Sequence, residues 1–124
     1  MGFALRILIA DDNQLVRRGI AGLLANEKDC EVCGEAADVR EVTQKTSDLH
    51  PDLVLLDVSM PGTNGLDIAR LLRKQSSTLR ILMISQHDPQ PLLPRSLEAG
   101  ANGCLDKSRL ATDLLPTIRN MFAA

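Results

Sequence analysis

The residues Leu53-Val54-Leu55-Leu56-Asp57 are the most informative about the fold of this 124-residue chain. Four consecutive apolar residues follow His50-Pro51-Asp52, which stops a preceding helix, and they predict a strand that is covered on both faces. Such a strand is typical of the centre of a parallel sheet, because crossover helices cover both sides of that sheet. The run ends at the carboxylate of Asp57, which is costly to bury without a partner. The stretch therefore predicts a central parallel strand with a polar site at its carboxyl end.

Short apolar runs alternate with stretches of helical periodicity on both sides of this strand. The further predicted strands cover residues 5–10, 30–36, 80–85 and 103–105. The predicted helices begin after Asn13 and after Asp38, cover 66–74, end near Gly100, and run towards Phe122. Leu15 and Leu71 are counted among the apolar positions of the first and third helices. This βα alternation predicts an α/β fold, a doubly wound five-stranded parallel sheet with right-handed crossovers, as a single domain over residues 1–124.

Prolines are expected to affect the start of the fourth helix and the regularity of the last one. Pro89, Pro91 and Pro94 precede or interrupt the fourth helix, which should therefore start late, near Pro91 to Leu93. Pro116 predicts a distortion of the last helix, unless Thr112 or Asp113 caps it.

Composition excludes several classes of protein. No apolar run approaches the ~20 residues that a membrane-spanning helix needs, and the first residues do not form a secretory signal. Cys30 and Cys33 form a C-x-x-C pair without a second ligand pair, and we interpret them as buried or half-buried strand residues. We therefore expect a cytoplasmic protein that does not bind a membrane.

Charge argues against direct binding of nucleic acid by this stretch. The net charge is −2, and the chain has no Trp or Tyr and only two Phe. Binding to phosphates needs a basic surface, and stacking on bases needs aromatic side chains.

The residues that follow the strands suggest chemistry. Asp11-Asp12, Asp57, Ser85 and Lys107 come at the carboxyl ends of four predicted strands, which share one edge of the sheet. Three carboxylates at one edge repel one another and call for a cation, and an all-oxygen ligand set suits Mg²⁺. A lysine ammonium and a serine hydroxyl could hold the oxygens of a phosphoryl group. Together the residues predict phosphoryl transfer to an aspartate.

Apart from Asp57, whose burial at the end of an apolar strand is costly, each of these residues also has an ordinary structural interpretation. Asp11-Asp12 could be a strand-end turn with a helix cap, Ser85 a turn hydroxyl, and Lys107 a solvated surface lysine. Only their combination at one sheet edge favours the functional interpretation.

The same positions resemble the signature of bacterial response-regulator receiver domains. The matching stretches occur in order along essentially the whole chain: Ile9–Asn13, Leu56–Gly62, Ile84-Ser85 and Asp106-Lys107. Two further stretches, Asp57–Gly65 and Glu98–Gly103, are most similar to the branch that usually carries a C-terminal helix-turn-helix. The resemblance implies the flavodoxin-like (βα)5 receiver fold.

The resemblance also assigns roles within a two-component phosphorelay. Asp57 would be the phosphoacceptor, Ser85 and Lys107 would contact the phosphoryl group, and no organic cofactor is implied. Mg²⁺ would be bound by Asp12 and Asp57, by the backbone carbonyl of Ser59, and by Asp11 largely through water.

The partner implied by the resemblance is a histidine kinase, and the expected process is transcription regulation through a switched output surface. A C-terminal DNA-binding domain beyond residue 124 and a phosphorylation-dependent homodimer remain open. One alternative is a phosphorylation-independent interaction module, and a weaker one is a small phosphatase of a related α/β type. We expect a signalling protein and not an enzyme, because no good general acid or base lies next to Asp57.

Three features depart from the family pattern: the residue at position 104, Gln86 where a small residue usually follows the hydroxyl residue, and the prolines around the fourth helix. The residue in Gly103-Cys104-Leu105 is usually a Tyr or Phe that moves inward when the hydroxyl residue engages the phosphoryl group. A cysteine there predicts weaker coupling between phosphorylation and the output surface.

Overall fold

The computed structural model describes residues 4–123. The strands are β1 (Leu5–Ala10), β2 (Cys30–Ala36), β3 (Leu53–Asp57), β4 (Arg80–Ser85) and β5 (Gly103–Asp106). The α-helices are α1 (Gln14–Leu24), α2 (Val39–Leu49), α3 (Gly65–Gln75), α4 (Leu93–Glu98) and α5 (Leu110–Met121), and a short 3-10 turn covers Lys107–Arg109. The strands form one parallel sheet in the order β2-β1-β3-β4-β5, which confirms the predicted doubly wound α/β fold.

The central position of β3 is confirmed. All five of its residues are buried, and it pairs with β1 on one side and with β4 on the other. Alternate strand residues face two apolar layers. The first layer packs Leu8, Val54 and Leu56 against α2 and α3, and the second packs Ile7 and Leu55 against α1 and α5.

Two asparagine or aspartate caps start helices where the sequence predicts them. Asn13 Oδ1 accepts hydrogen bonds from the backbone N–H groups of Leu15 and Val16, and Asp38 Oδ1 accepts one from Glu41. A side-chain acceptor at this position satisfies amide groups that the first helical turn leaves unpaired. The caps therefore determine where α1 and α2 begin.

The prolines affect the two last helices differently. α4 begins at Leu93 with Pro94 in its first turn, as predicted. The prediction for Pro116 is wrong, because α5 runs continuously through it and neither Thr112 nor Asp113 caps the helix. Pro116 lies on the exposed side of α5, while Leu114 and Ile118 on the opposite side are fully buried. We attribute the continuity to this packing, which offsets the hydrogen bond that proline cannot make.

Two apolar residues counted toward helix cores are instead exposed. Leu15 is 74% exposed and Leu71 is 46% exposed. The rotation of each helix explains the difference, because α1 buries Ile20 and Leu24 and α3 buries Ile68 and Leu72. Helical spacing alone does not define the centre of the buried face.

The C-x-x-C pair is split between the two layers. Cys30 packs against the second layer and Cys33 against the first, and both are half-buried and free, as is Cys104. This confirms their interpretation as strand residues. Within residues 4–123, no helix has the length and apolarity to cross a bilayer.

Candidate functional site

Three carboxylates meet at the carboxyl edge of the sheet. Asp11, Asp12 and Asp57 each offer an oxygen atom, and these atoms lie within 4.8 Å of one another. Asp11 and Asp57 are 2% and 3% exposed, whereas Asp12 is exposed. The site forms where β1 and β3 lie side by side, which is the point where the strand order reverses and ligands bind in open α/β sheets.

Lys107 joins this cluster from the turn that follows β5. Its Nζ lies 2.9 Å from Asp11 Oδ2 and 3.6 Å from Asp57 Oδ2, and its side chain is 15% exposed. One ammonium group against three carboxylates leaves an excess of negative charge. The donor set consists only of oxygen atoms, and it therefore fits a hard divalent cation such as Mg²⁺.

The environment of Asp57 disfavours its charge. Burial raises the pKa of the Asp57 carboxyl group above its ordinary value, and the negative charges of Asp11 and Asp12 act in the same direction. A hydrogen bond from Ser59 N–H to Asp57 Oδ1 (3.0 Å) and the charge of Lys107 oppose these effects without cancelling them. A cation at the cluster would relieve the remaining repulsion.

Ser85 is the last residue of β4. Its side chain is buried, and its Oγ accepts a hydrogen bond from the backbone N–H of His87 at 3.1 Å. Asp57 pairs with Ile84 in the sheet, so Ser85 follows at the same edge. An open cavity of about 380 Å³ lies beside Ser59, Ser85 and His87. The structure thus brings Asp11, Asp12, Asp57 and Lys107 together and places Ser85 at the same edge of the sheet.

Arg17 is not among the residues that the sequence proposes for the site, yet the structure places it against Asp11. Arg17 Nη1 donates a hydrogen bond to the backbone carbonyl of Asp11 (2.6 Å), and its Nε donates one to Glu35 Oε1 (2.8 Å). Glu35 lies at the end of β2, the edge strand next to β1. Only the strand order brings these two residues together, and no local pattern in the sequence indicates it.

The chain is similar to curated response regulators. A family model described as the response regulator receiver domain matches residues 7–119. Response regulator GacA of Pseudomonas viridiflava is 35% identical over 119 residues, which cover 96% of this chain and 56% of that protein. Response regulator UvrY of Escherichia coli strain K12 is 32% identical, with 96% and 55% covered. The chain therefore spans about half the length of these curated relatives.

Solved structures agree with this similarity. A two-component response regulator of the LuxR family from Aurantimonas sp. has a TM-score of 0.90 and 31% identity, covering 97% of this chain and 86% of that one. The signal receiver domain of the putative response regulator NarL from Mycobacterium tuberculosis has a TM-score of 0.87 and 30% identity, covering 96% of both chains. From the family match, these relatives and the acidic site at the sheet edge, we conclude that the chain belongs to the receiver domains of two-component response regulators.

Proposed function

We propose that this domain accepts a phosphoryl group from a histidine kinase on Asp57, with Mg²⁺ bound at the acidic cluster, and thereby switches an output surface. The observation that carries the proposal is the buried Asp57 carboxylate, which lies within reach of Asp11, Asp12 and Lys107. A buried carboxylate among further negative charges destabilises the folded chain. A chemical role therefore explains its position better than a structural role does.

The acidic cluster supplies the ligands for the metal. We assign Asp12, Asp57 and the backbone carbonyl of Ser59 as direct ligands, and Asp11 as a ligand that acts largely through water. When bound, Mg²⁺ neutralises the carboxylates and the charge of the incoming phosphoryl group.

The remaining residues hold the phosphoryl group. A carboxylate oxygen of Asp57 attacks the phosphorus atom, and the bond from phosphorus to the donor breaks with its electron pair going to the donor. Lys107 pairs with one phosphoryl oxygen, and the hydroxyl of Ser85 donates a hydrogen bond to another. Asp57 itself becomes modified, so we propose a signalling switch and not an enzyme.

The full-length protein would act in transcription. Support comes from the similarity to response regulators about twice as long as this chain and to a LuxR-family regulator. We propose a helix-turn-helix DNA-binding domain that follows residue 124, a cytoplasmic location, and a homodimer that forms on phosphorylation. The receiver domain itself would not contact DNA.

Intact-mass spectrometry after incubation with Mg²⁺ and acetyl phosphate tests the proposal. The wild-type domain should gain one phosphoryl group, Asp57→Asn should gain none, and Asp12→Ala should react more slowly. Asp67→Asn removes an exposed carboxylate on α3 outside the cluster, and it should react as the wild type does. Undiminished uptake by Asp57→Asn would refute the assignment, and an unreactive wild-type domain would favour a phosphorylation-independent module.

A further inference from the structure

Arg17 connects three parts of the molecule underneath the acidic cluster. It belongs to α1, it donates to the backbone carbonyl of Asp11 in the loop after β1, and it donates to Glu35 at the end of β2. The Arg17 side chain is only 14% exposed. We call these two contacts together the Arg17–Glu35 clasp.

The clasp completes a set of bonds that fix Asp11. The Asp11 N–H donates to the Ala36 carbonyl (3.0 Å), its carbonyl accepts from Arg17, and its Oδ1 accepts from the N–H of Asn13 (2.8 Å). Arg17 therefore donates its hydrogen bond to the peptide group that joins Asp11 to Asp12.

Asp12 depends on this arrangement more than Asp11 does. Within residues 4–123, no side-chain hydrogen bond or ion pair of the structure involves the Asp12 carboxylate, which is exposed. The carbonyl of Asp11 and the nitrogen of Asp12 belong to one planar peptide unit. Orienting that carbonyl therefore orients the start of Asp12, and with it the carboxylate that faces the cluster.

We propose that Arg17 and Glu35 are positioning residues for the metal site, which hold the Asp11–Asp12 peptide in the orientation that Mg²⁺ binding requires. The inference rests on the proposed function, because it concerns the metal of that same site. Hydrogen-bond partners that orient metal ligands commonly determine metal affinity almost as strongly as the ligands themselves.

A role through charge and a role through orientation predict opposite changes in Mg²⁺ affinity when Arg17 is removed. Arg17→Ala takes away a positive charge and leaves the Glu35 carboxylate unpaired near the cluster. If Arg17 acted only through its charge, the variant would bind Mg²⁺ more tightly. If Arg17 acts by orienting the Asp11 carbonyl, the variant binds Mg²⁺ more weakly.

The experiment is a titration of the isolated domain with MgCl₂, followed by the amide shifts of residues 10–14 and 57–60 in NMR spectra. We expect the dissociation constant of Arg17→Ala to rise about tenfold. Arg18→Ala is the matched control, because it removes the same charge from the next residue, which is exposed. It should bind Mg²⁺ no more weakly than the wild type does.

Arg17→Lys provides a second test that does not depend on a change of charge. A lysine keeps the charge, but it lacks the planar guanidinium group with which Arg17 bonds to Asp11 and Glu35 at the same time. We expect a dissociation constant between those of the wild type and Arg17→Ala, whereas a pure charge effect predicts no change. If melting curves in EDTA show that Arg17→Ala is unfolded, Arg17→Lys alone decides.

The outcomes separate the clasp from the function on which it rests. Failure of the wild-type domain to bind Mg²⁺ would overturn the proposed function. Normal binding by the wild type, with equal or tighter binding by the folded Arg17 variants, would overturn only the clasp.

Discussion

Asp57 illustrates at the scale of one residue how a functional site costs stability. Its carboxylate is 3% exposed and lies among two further acidic side chains. Burial, as the largest cause, raises its pKa above the ordinary value. The folded chain therefore disfavours the ionised form that phosphoryl transfer uses as the nucleophile.

Replacing Asp57 by Asn should stabilise the domain in the absence of Mg²⁺. The folded carboxyl group holds its proton more tightly than the unfolded one, so stability falls as the pH rises through the range between the two pKa values. At a pH above both pKa values the penalty is complete, and Asp57→Asn should raise the Tm by roughly 4 °C for each kcal/mol of penalty removed. The gain should disappear at a pH below both pKa values, where the wild-type carboxyl group is also neutral.

Melting curves in EDTA at pH 7 and at acidic pH measure this effect. Asp12→Asn is the control, since Asp12 is exposed and water screens its charge, so its gain should be smaller. A wild-type Tm at pH 7 equal to or above that of Asp57→Asn would contradict the argument.

α5 shows at the scale of an element that packing can override a local preference. Pro116 lies inside the helix and lacks the N–H that would bond to the carbonyl four residues earlier. Leu110, Leu114 and Ile118 all pack against the second apolar layer and hold the helix on the sheet.

Replacing Pro116 by Ala should therefore stabilise the domain. The substitution restores a backbone donor at an exposed position, and the cost of proline in a helix interior is about 3 kcal/mol. We expect the free energy of unfolding from urea titrations to rise by roughly 1 to 3 kcal/mol. Pro94→Ala, in the first turn of α4 where no donor is missed, should change it by less than about 1 kcal/mol. Equal effects of the two substitutions would show that Pro116 is not strained.

We propose that the groove between α4 and α5 belongs to the surface that phosphorylation would switch. Cys104 of β5 is half-buried there, in an open groove of about 650 Å³ that Leu93 and Pro116 also line. A cysteine changes its exposed area little when it moves, and burial stabilises by only about 25 cal/mol per Å² of apolar surface. A switch can shift a population only by the free-energy difference between its two states.

We therefore expect phosphorylation to shift this surface weakly. NMR shifts of residues 88–118, with and without beryllofluoride as a mimic of the phosphoryl group, measure the change. Cys104→Tyr should enlarge those shifts, because the groove offers space for a ring that changes its burial on switching. Large shifts in the unmodified protein that Cys104→Tyr leaves unchanged would mean that another contact carries the signal.

At the scale of the whole molecule, the proposed metal site would link Mg²⁺ binding to folding. Asp11 and Asp12 follow β1 and Asp57 ends β3, and these two strands meet only in the folded sheet. A ligand that binds only the folded state stabilises it by an amount that grows with its concentration. At ten times its dissociation constant, Mg²⁺ should add about 1.4 kcal/mol to the free energy of unfolding.

Chemical denaturation at increasing MgCl₂ concentrations tests this linkage. Asp12→Ala should lose most of the gain while folding normally without metal, because Asp12 is exposed and takes no part in the core. A gain of equal size in Asp12→Ala would place the stabilising ion elsewhere.

Most of the elements and the acidic cluster of this protein could be predicted from local features of the sequence. The apolar run of β3, the caps Asn13 and Asp38, and the polar residues at the strand ends all act over a few residues, so their consequences are readable locally. The rule that parallel strands share an edge was then enough to predict that Asp11, Asp12 and Asp57 converge.

Features that depend on distant neighbours could not be predicted and became visible in the folded chain. The rotation of the helices placed Leu15 and Leu71 in solvent, and packing on the sheet kept α5 continuous at Pro116. The strand order placed Glu35 next to Arg17, which no spacing along the chain could show. The physical reason is that burial and long-range hydrogen bonds are properties of the assembled core, whereas caps and apolar periodicity are properties of the local chain.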